Sequence, residues 1–293
     1  MNIYNPKAYE SDGNVLISGI DNFGLEETFD CGQAFRWKPY DTDSWVGIAL
    51  GRKLRVGHKN GIITLYDCTL KEYEEKWRSY FDIDRDYSSI IDIISSDETL
   101  KAAAAENSGI RVLKQDKWEA LCSFIISQNN NIPRIKGIIE RLCAGLGKKV
   151  SFKSGEYFAF PTVKDMANAP LEFYKSIGLG YRAEYILRLA KEIEGGLDVV
   201  NFNALDTLNL KRKLITLYGV GPKVADCVAL FGYHRSDSFP VDTWIEKVYV
   251  QDFNGKLKDR SKIADELVKT FGQDAGYFQQ YLFYYKRTLQ AKE

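Results

Sequence analysis

Residues Leu217 to Asp226 read LYGVGPKVAD, and nineteen residues after their lysine stands the aspartate of FPVDTW, Phe239 to Trp244. A Gly-x-Gly turn that opens a helix aims bare backbone N–H groups at a phosphate, here those of Gly219, Gly221 and Val224. Pro222 sits just inside the helix start, where its missing N–H would have had no helical partner. Lys223 falls in the first turn. There the positive end of the helix dipole and partial burial both favour the neutral amine, and a neutral amine is a nucleophile. The stretch therefore predicts a backbone phosphate clamp with an amine nucleophile in its helix. The plain alternative is a surface lysine on an amphipathic helix.

Working outward, residues 13 to about 68 carry short alternating segments (FRWKPY, SWVGIAL, KLRVGH, GIITLYD) separated by turn-rich pieces. This pattern predicts an antiparallel meander with one packed face. After Thr69 the spacing becomes helical, first over Lys71–Phe81 and Tyr87–Ser95, then almost continuously from Asp116. Further helices are predicted over 204–217, 222–234, 243–253, 260–271 and 275–291. Gly145, Gly147, Gly195 and Gly196 mark expected helix ends. The fold class is α+β: an N-terminal, mostly β domain over 1–98 and an all-helical body over 99–293, with a helical hairpin at about 204–234.

The chain has 293 residues, enough for two domains or one large one. Five cysteines (Cys31, Cys68, Cys122, Cys143, Cys227) show neither CxxC nor Cys/His metal spacing, and their odd number argues against a disulfide framework and fits a reducing cytoplasm. No arginine-rich leader, signal-peptide stretch or bilayer-spanning run is present, so a cytoplasmic protein, nucleoid-associated if bacterial, with no membrane partner is expected. Forty acidic residues balance forty Lys and Arg. Positive potential must then be local, from Lys211-Arg212-Lys213, Lys223, Arg134, Arg182 and helix ends. For the 211–213 run a solvated helix face is the plainer reading.

The hairpin segment resembles the helix-hairpin-helix DNA glycosylases, and LxGVGxKVADC followed by PVD resembles their 8-oxoguanine branch. Further matches are CGQAFRW (Cys31–Trp37), NNNIPRI (Asn129–Ile135), GLGYRAEY (Gly178–Tyr185) and AGYFQQYLF (Ala275–Phe283). The resemblance implies a helix-hairpin-helix glycosylase body and a bifunctional enzyme acting alone, as a monomer, on damaged duplex DNA. By the same resemblance the enzyme would excise 8-oxoguanine, preferably opposite cytosine, with Lys223 attacking the sugar C1′ and Asp242 assisting. It implies that the Gly32 carbonyl accepts from N7–H of the lesion, a proton guanine lacks. Cys227 and Phe283 would clamp the flipped base, with Phe231 shaping the pocket, and Gln279 would meet the Watson–Crick edge. Tyr181 would fill the vacated stack while Asn129, Arg134 and Arg182 read the orphaned cytosine.

Without the resemblance, Cys227 and Phe283 read as core residues, and Arg134 and Arg182 as phosphate contacts or solvated charge. Asp242 reads as a helix N-cap, with Thr243 and Glu246 as a rival capping box. Phe231 and Trp244 depart from the pattern, standing where a methionine and a phosphate-binding histidine are expected. No cysteine follows Cys227, so the iron–sulfur loop of related glycosylases is not expected, nor any redox or organic cofactor. Relatives often hold a structural cation on hairpin carbonyls, here those of Ile215, Leu217 and Val220. Two rival functions remain: a glycosylase for another lesion, such as alkylated purines, and a non-catalytic DNA-binding module.

Overall fold

Alternating burial builds the N-terminal region. In β2 (Asn14–Ser18) and β6 (Ile62–Tyr66) every second side chain is fully buried, namely Val15, Ile17, Ile63 and Leu65. The two strands pair antiparallel with Val15 opposite Leu65 and Ile17 opposite Ile63, which keeps all four on one face. They belong to a six-stranded sheet with β1 (Lys7–Ser11), β3 (Trp37–Asp41), β4 (Ser44–Ala49) and β5 (Arg52–Lys59), in the order β1-β2-β6-β5-β4-β3. The computed structural model describes residues 4–96, 100–101, 109–150, 156–199 and 201–292. The expected boundary at 98/99 lies outside them.

The remaining elements are helical, apart from a small β7–β8 pair (Lys149–Val150, Tyr157–Phe158). After α1 (Leu25–Phe29) come α2 (Leu70–Glu72), a π-helical turn (Tyr73–Trp77), α3 (Arg78–Tyr80) and α4 (Ser88–Ser96). Then follow α5 (Lys117–Ser127), α6 (Ile132–Leu146), α7 (Val163–Asn168), α8 (Leu171–Ser176) and α9 (Arg182–Glu194). The series ends with α10 (Thr207–Ile215), α11 (Pro222–Phe231), α12 (Thr243–Gln251), α13 (Arg260–Phe271) and α14 (Ala275–Lys292). The expected β-sheet followed by helices is thus observed. Gly147 and Gly195 end helices, whereas Gly145 lies inside α6. A Cβ at Gly145 would stand 2.5 Å from the Phe173 ring, so close packing explains that glycine.

The chain forms two compact units. The first contains Met1–Gly47, Leu54–Lys114 and Ser236–Glu293; the second contains Ile48–Lys53 and Gln115–Arg235. In the first, Phe29 stacks on Trp37 at 4.0 Å and Trp37 Nε1 donates to the Tyr80 hydroxyl at 3.0 Å. The C-terminal α14 belongs to the same unit. Tyr277 meets Tyr87 edge-on at 5.2 Å, and Arg287 pairs with Asp30 at 3.1 Å. In the second unit, the buried face of α5 packs on α11, with Phe124 stacked on Phe231 at 5.3 Å. Helices α10 and α11 form the expected hairpin. They are tied by Lys211 and Asp226 at 2.6 Å, so Lys211 is not part of a solvated face, although Arg212 and Lys213 are exposed.

Candidate active site

The hairpin turn is shaped by one forced glycine and one open one. Gly219 has φ +84°, and a Cβ there would lie 2.6 Å from the Tyr185 ring. Its carbonyl accepts from Gln128 Nε2 at 2.9 Å. Gly221 is the N-cap of α11, makes no side-chain cap, and has nothing within 4 Å of where a Cβ would point. Among the described residues, the N–H groups of Gly219, Gly221 and Val224 meet no hydrogen-bond acceptor. Orphan donors at a helix start suit an anion.

Lys223 is half-buried in the first turn of α11, with Nζ 5.6 Å from the centroid of Phe124. Cys227 and Phe231 follow one and two turns later, both buried, and Phe231 stacks on that same Phe124. The helix therefore carries an amine, a thiol and an aromatic ring in one stripe. Asp226, three residues beyond Lys223 and a natural helical partner for it, is engaged by Lys211 instead. Within its own unit no described carboxylate pairs with Lys223.

The nearby carbonyls suit a hard cation in part. Leu217 O already accepts from Val220 N at 3.1 Å, whereas Ile215 and Val220 oxygens accept no hydrogen bond among the described residues. Backbone oxygens of this kind are ligands for sodium-, potassium-, magnesium- or calcium-type ions. Among the described residues, no group of three or more His, Cys, Asp or Glu side chains is placed to hold a metal.

Asp242 belongs to the first unit and caps α12. Its Oδ1 accepts from the N–H groups of Trp244 at 2.9 Å and Ile245 at 3.0 Å. This decides the capping question in favour of Asp242 over Thr243 and Glu246. Its second oxygen has no partner among the described residues. One oxygen thus fixes the carboxylate and the other remains available. Trp244, standing where the histidine was expected, lies under the Lys247 ammonium, 4.8 Å from its ring.

The same unit contains Gly32, Gln279 and Phe283. Gly32 has φ +79°, in a loop clamped by its neighbour Gln33. The buried Gln33 donates through Nε2 to Thr28 O (2.8 Å) and Arg111 O (2.7 Å), and accepts from Leu113 N (2.9 Å). The Asp30–Arg287 pair joins this loop to α14, where Gln279 and Phe283 lie one turn apart on one face. Burial pushes the adjacent Cys31 thiol up to about 12, so it stays protonated. Sequence reasoning missed both Gln33 and Arg287. Gln33 lies inside the CGQAFRW match, whereas nothing local marks Arg287.

Asn129, Arg134, Tyr181 and Arg182 cluster in the second unit. Asn129 is exposed with φ +46°, a conformation asparagine tolerates better than most residues. Arg182 is buried. Its Nε and Nη2 donate to Gln128 O (Nε at 2.9 Å), Nη2 also to Asn129 O at 3.0 Å, and Nη1 to Leu179 O at 3.3 Å. Arg182 thus braces the loop that presents Asn129. Arg134 is exposed and reaches Gly178 O at 3.3 Å. Tyr181 is 52% exposed, its ring 4.4 Å from the Arg182 guanidinium and edge-on to Tyr185 at 5.6 Å. Gln128, which no sequence signal marks, joins this loop to the hairpin through Gly219.

A positioned amine beside a helix-end anion site, an exposed aromatic wedge and a loop of polar donors together define a DNA-processing site. Residues 15–121 match the family model "8-oxoguanine DNA glycosylase, N-terminal domain", and residues 122–273 match "HhH-GPD superfamily base excision DNA repair protein". The chain belongs to the HhH-GPD superfamily of base excision DNA repair proteins, in its 8-oxoguanine DNA glycosylase branch. It is similar to the Saccharomyces cerevisiae N-glycosylase/DNA lyase, 30% identical over 78% of this chain and 68% of that one. It also resembles the Clostridium acetobutylicum 8-oxoguanine glycosylase/lyase in complex with double-stranded DNA containing cytosine opposite 8-oxoguanine. That match is 35% identical with a TM-score of 0.93, covering 99% of this chain and 100% of that one. The apo form of the Clostridium enzyme gives a TM-score of 0.90 over 97% of this chain and all of that one, again at 35% identity.

Proposed function

We propose that the chain is a bifunctional DNA glycosylase/lyase that excises 8-oxoguanine, preferably opposite cytosine, in base excision repair. The observation that carries this reading is Lys223: half-buried in the first turn of a glycine-opened helix, with its nearest helical carboxylate held by another lysine. The lesion and duplex in the Clostridium complex support the substrate and the opposite base.

In this mechanism the neutral Lys223 amine attacks C1′ of the extruded nucleotide. The C1′–N9 bond breaks and the base leaves with the bonding pair, then takes up a proton. The uncapped oxygen of Asp242 stabilises positive charge developing on the sugar and accepts a proton from the amine. The sugar ring then opens: the C1′–O4′ bond breaks, O4′ takes up a proton and the nitrogen lone pair forms the C1′=N Schiff base, which acidifies C2′–H; loss of that proton expels the 3′ phosphate by β-elimination. Gly32 O receives N7–H of the lesion, a bond that guanine cannot make. Cys227 and Phe283 sandwich the base, Phe231 bounds its pocket, and Gln279 meets its Watson–Crick edge. Tyr181 occupies the vacated stack, Asn129 and Arg134 face the orphaned cytosine, and Arg182 holds their loop and keeps one N–H for the same base. The N–H groups of Gly219, Gly221 and Val224 bind the backbone phosphate, and the carbonyls of Ile215, Leu217 and Val220 would hold a structural cation that adds positive charge at this turn. Action as a cytoplasmic monomer completes the proposal.

Borohydride trapping on an 8-oxoguanine:cytosine duplex tests the reading. The parent protein is expected to form a covalent adduct, and Lys223→Gln to lose both adduct and excision. Excision without trapping would point to an activated water, and binding without excision to a non-catalytic module; either result ends the lysine mechanism.

A further inference from the structure

Tyr181, the N-cap of α9, and Tyr185 lie one turn apart, so their side chains share a helix face. Tyr181 is half out in solvent, and little holds it. Its hydroxyl reaches Gln128 O only at 3.5 Å, and that carbonyl already accepts from Arg182 Nε at 2.9 Å. Beyond the Arg182 guanidinium, its restraint is the Tyr185 ring, edge-on at 5.6 Å and 72°. Tyr185 is itself seated on the hairpin. Its ring stands edge-on to Tyr218 at 5.1 Å and 87°, and fills the place where a Cβ on Gly219 would come within 2.6 Å. Tyr218 is backed in turn by the Arg188 guanidinium, 4.2 Å from its ring. The Tyr185 hydroxyl makes no hydrogen bond among the described residues, so these contacts belong to the ring.

We propose that Tyr185 is a positioning residue that holds the Tyr181 ring ready to enter the vacated stack, at a fixed offset from the phosphate-binding turn at Gly219. The inference rests on the wedge role of Tyr181 proposed above. An exposed tyrosine samples several rotamers, and those turned away from the duplex do nothing to fill the gap. Ordering such a side chain as the base leaves costs entropy, which a ring already held in place does not lose. Tyr185 supplies that restraint on one side while its other side rests on Gly219. Wedge and phosphate clamp thereby share one support.

A double-mutant cycle in single-turnover excision of an 8-oxoguanine:cytosine duplex tests this. Tyr185→Leu keeps an apolar side chain over Gly219 but removes the ring edge. It is expected to slow excision roughly three- to tenfold, the range for loss of one edge-on aromatic pair. Tyr185→Phe keeps every ring contact and is expected to restore the parent rate. Tyr181→Ala is expected to be slow, and the double variant with Tyr185→Leu no slower, because Tyr185 acts through a ring that is then absent. Nicking of a preformed abasic site uses the hairpin and Lys223 without extruding a base, so Tyr185→Leu should leave it at the parent rate. Additive losses, a parent-like Tyr185→Leu, or an equal fall in abasic-site nicking would each overturn the inference. The last of these would show that Tyr185 supports the hairpin alone. A parent that excises no 8-oxoguanine overturns the functional reading and this inference with it, whereas an active parent with additive losses removes this inference alone.

Discussion

Asp242 is asked to meet two demands, the helix cap and the catalytic role proposed for it. Sequence alone leaves a cap and a catalytic carboxylate as competing readings, yet the geometry separates them by atom. Oδ1 is committed to the Trp244 and Ile245 N–H groups, and Oδ2 is not. An asparagine keeps an amide oxygen for the cap and caps about as well as aspartate. It lacks the negative charge that would stabilise a cationic sugar or receive a proton. Asp242→Asn is therefore expected to keep its denaturation midpoint, within about 0.5 kcal/mol of the parent. Excision in the same variant should fall at least ~100-fold, the lower range for loss of a positioned acid–base group. Equal activity would leave Asp242 as a cap only, and so would large destabilisation with normal specific activity.

At the scale of elements, periodicity reaches as far as a single strand or helix and no further. Alternation at Val15–Ile17 and Ile63–Leu65 marks the strands, and the Gly219–Pro222 stretch marks the hairpin, because those signals are local. The loop that presents Gly32 is legible as a motif, but its support is not. Gln33 bonds to Thr28, Arg111 and Leu113, two of them roughly eighty residues away. Arg182 likewise reads as a base contact, yet most of its guanidinium holds the carbonyls of Gln128, Asn129 and Leu179. No spacing rule encodes such contacts, since they exist only once distant segments have packed. Gln33→Leu fills the space but strands the Arg111 carbonyl and the Leu113 N–H, while Thr28 O keeps the Cys31 thiol. It should cost about 2–4 kcal/mol in urea denaturation, given about 1–3 kcal/mol for each unsatisfied buried group and partial relaxation. If the clamp also aims the Gly32 carbonyl, 8-oxoguanine excision drops more than abasic-site nicking does in the same variant. Loss of both in equal proportion would show that Gln33 supports the fold alone.

For the whole molecule, the first unit draws on both ends of the chain, and its interior gathers groups that resist ionisation. The Asp30–Arg287 pair and the Tyr87–Tyr277 contact join the N-terminal segment to α14. In the same interior, burial raises the Cys31 thiol from 9.0 to about 12 and raises the Tyr87, Tyr277, Tyr281 and Tyr284 hydroxyls above their ordinary 10.0. A group whose folded pKa exceeds its unfolded value binds its proton more tightly in the native state. The associated stability is complete below the unfolded value and drains away as pH climbs toward the folded one. For Cys31 that window runs from pH 9 to about 12. Stability should therefore be flat from pH 7 to 8.5 and fall steeply above pH 9. Cys31→Ala has no thiol to ionise and leaves a small side chain in the same place. Between pH 8 and 11 it should lose roughly 2–3 kcal/mol less than the parent, from about 1.4 kcal/mol for each pH unit above the unfolded value. Urea midpoints measured at pH 8, 9.5 and 11 decide the matter, because parallel curves for the two proteins would mean that Cys31 is not held in its neutral form by this interior.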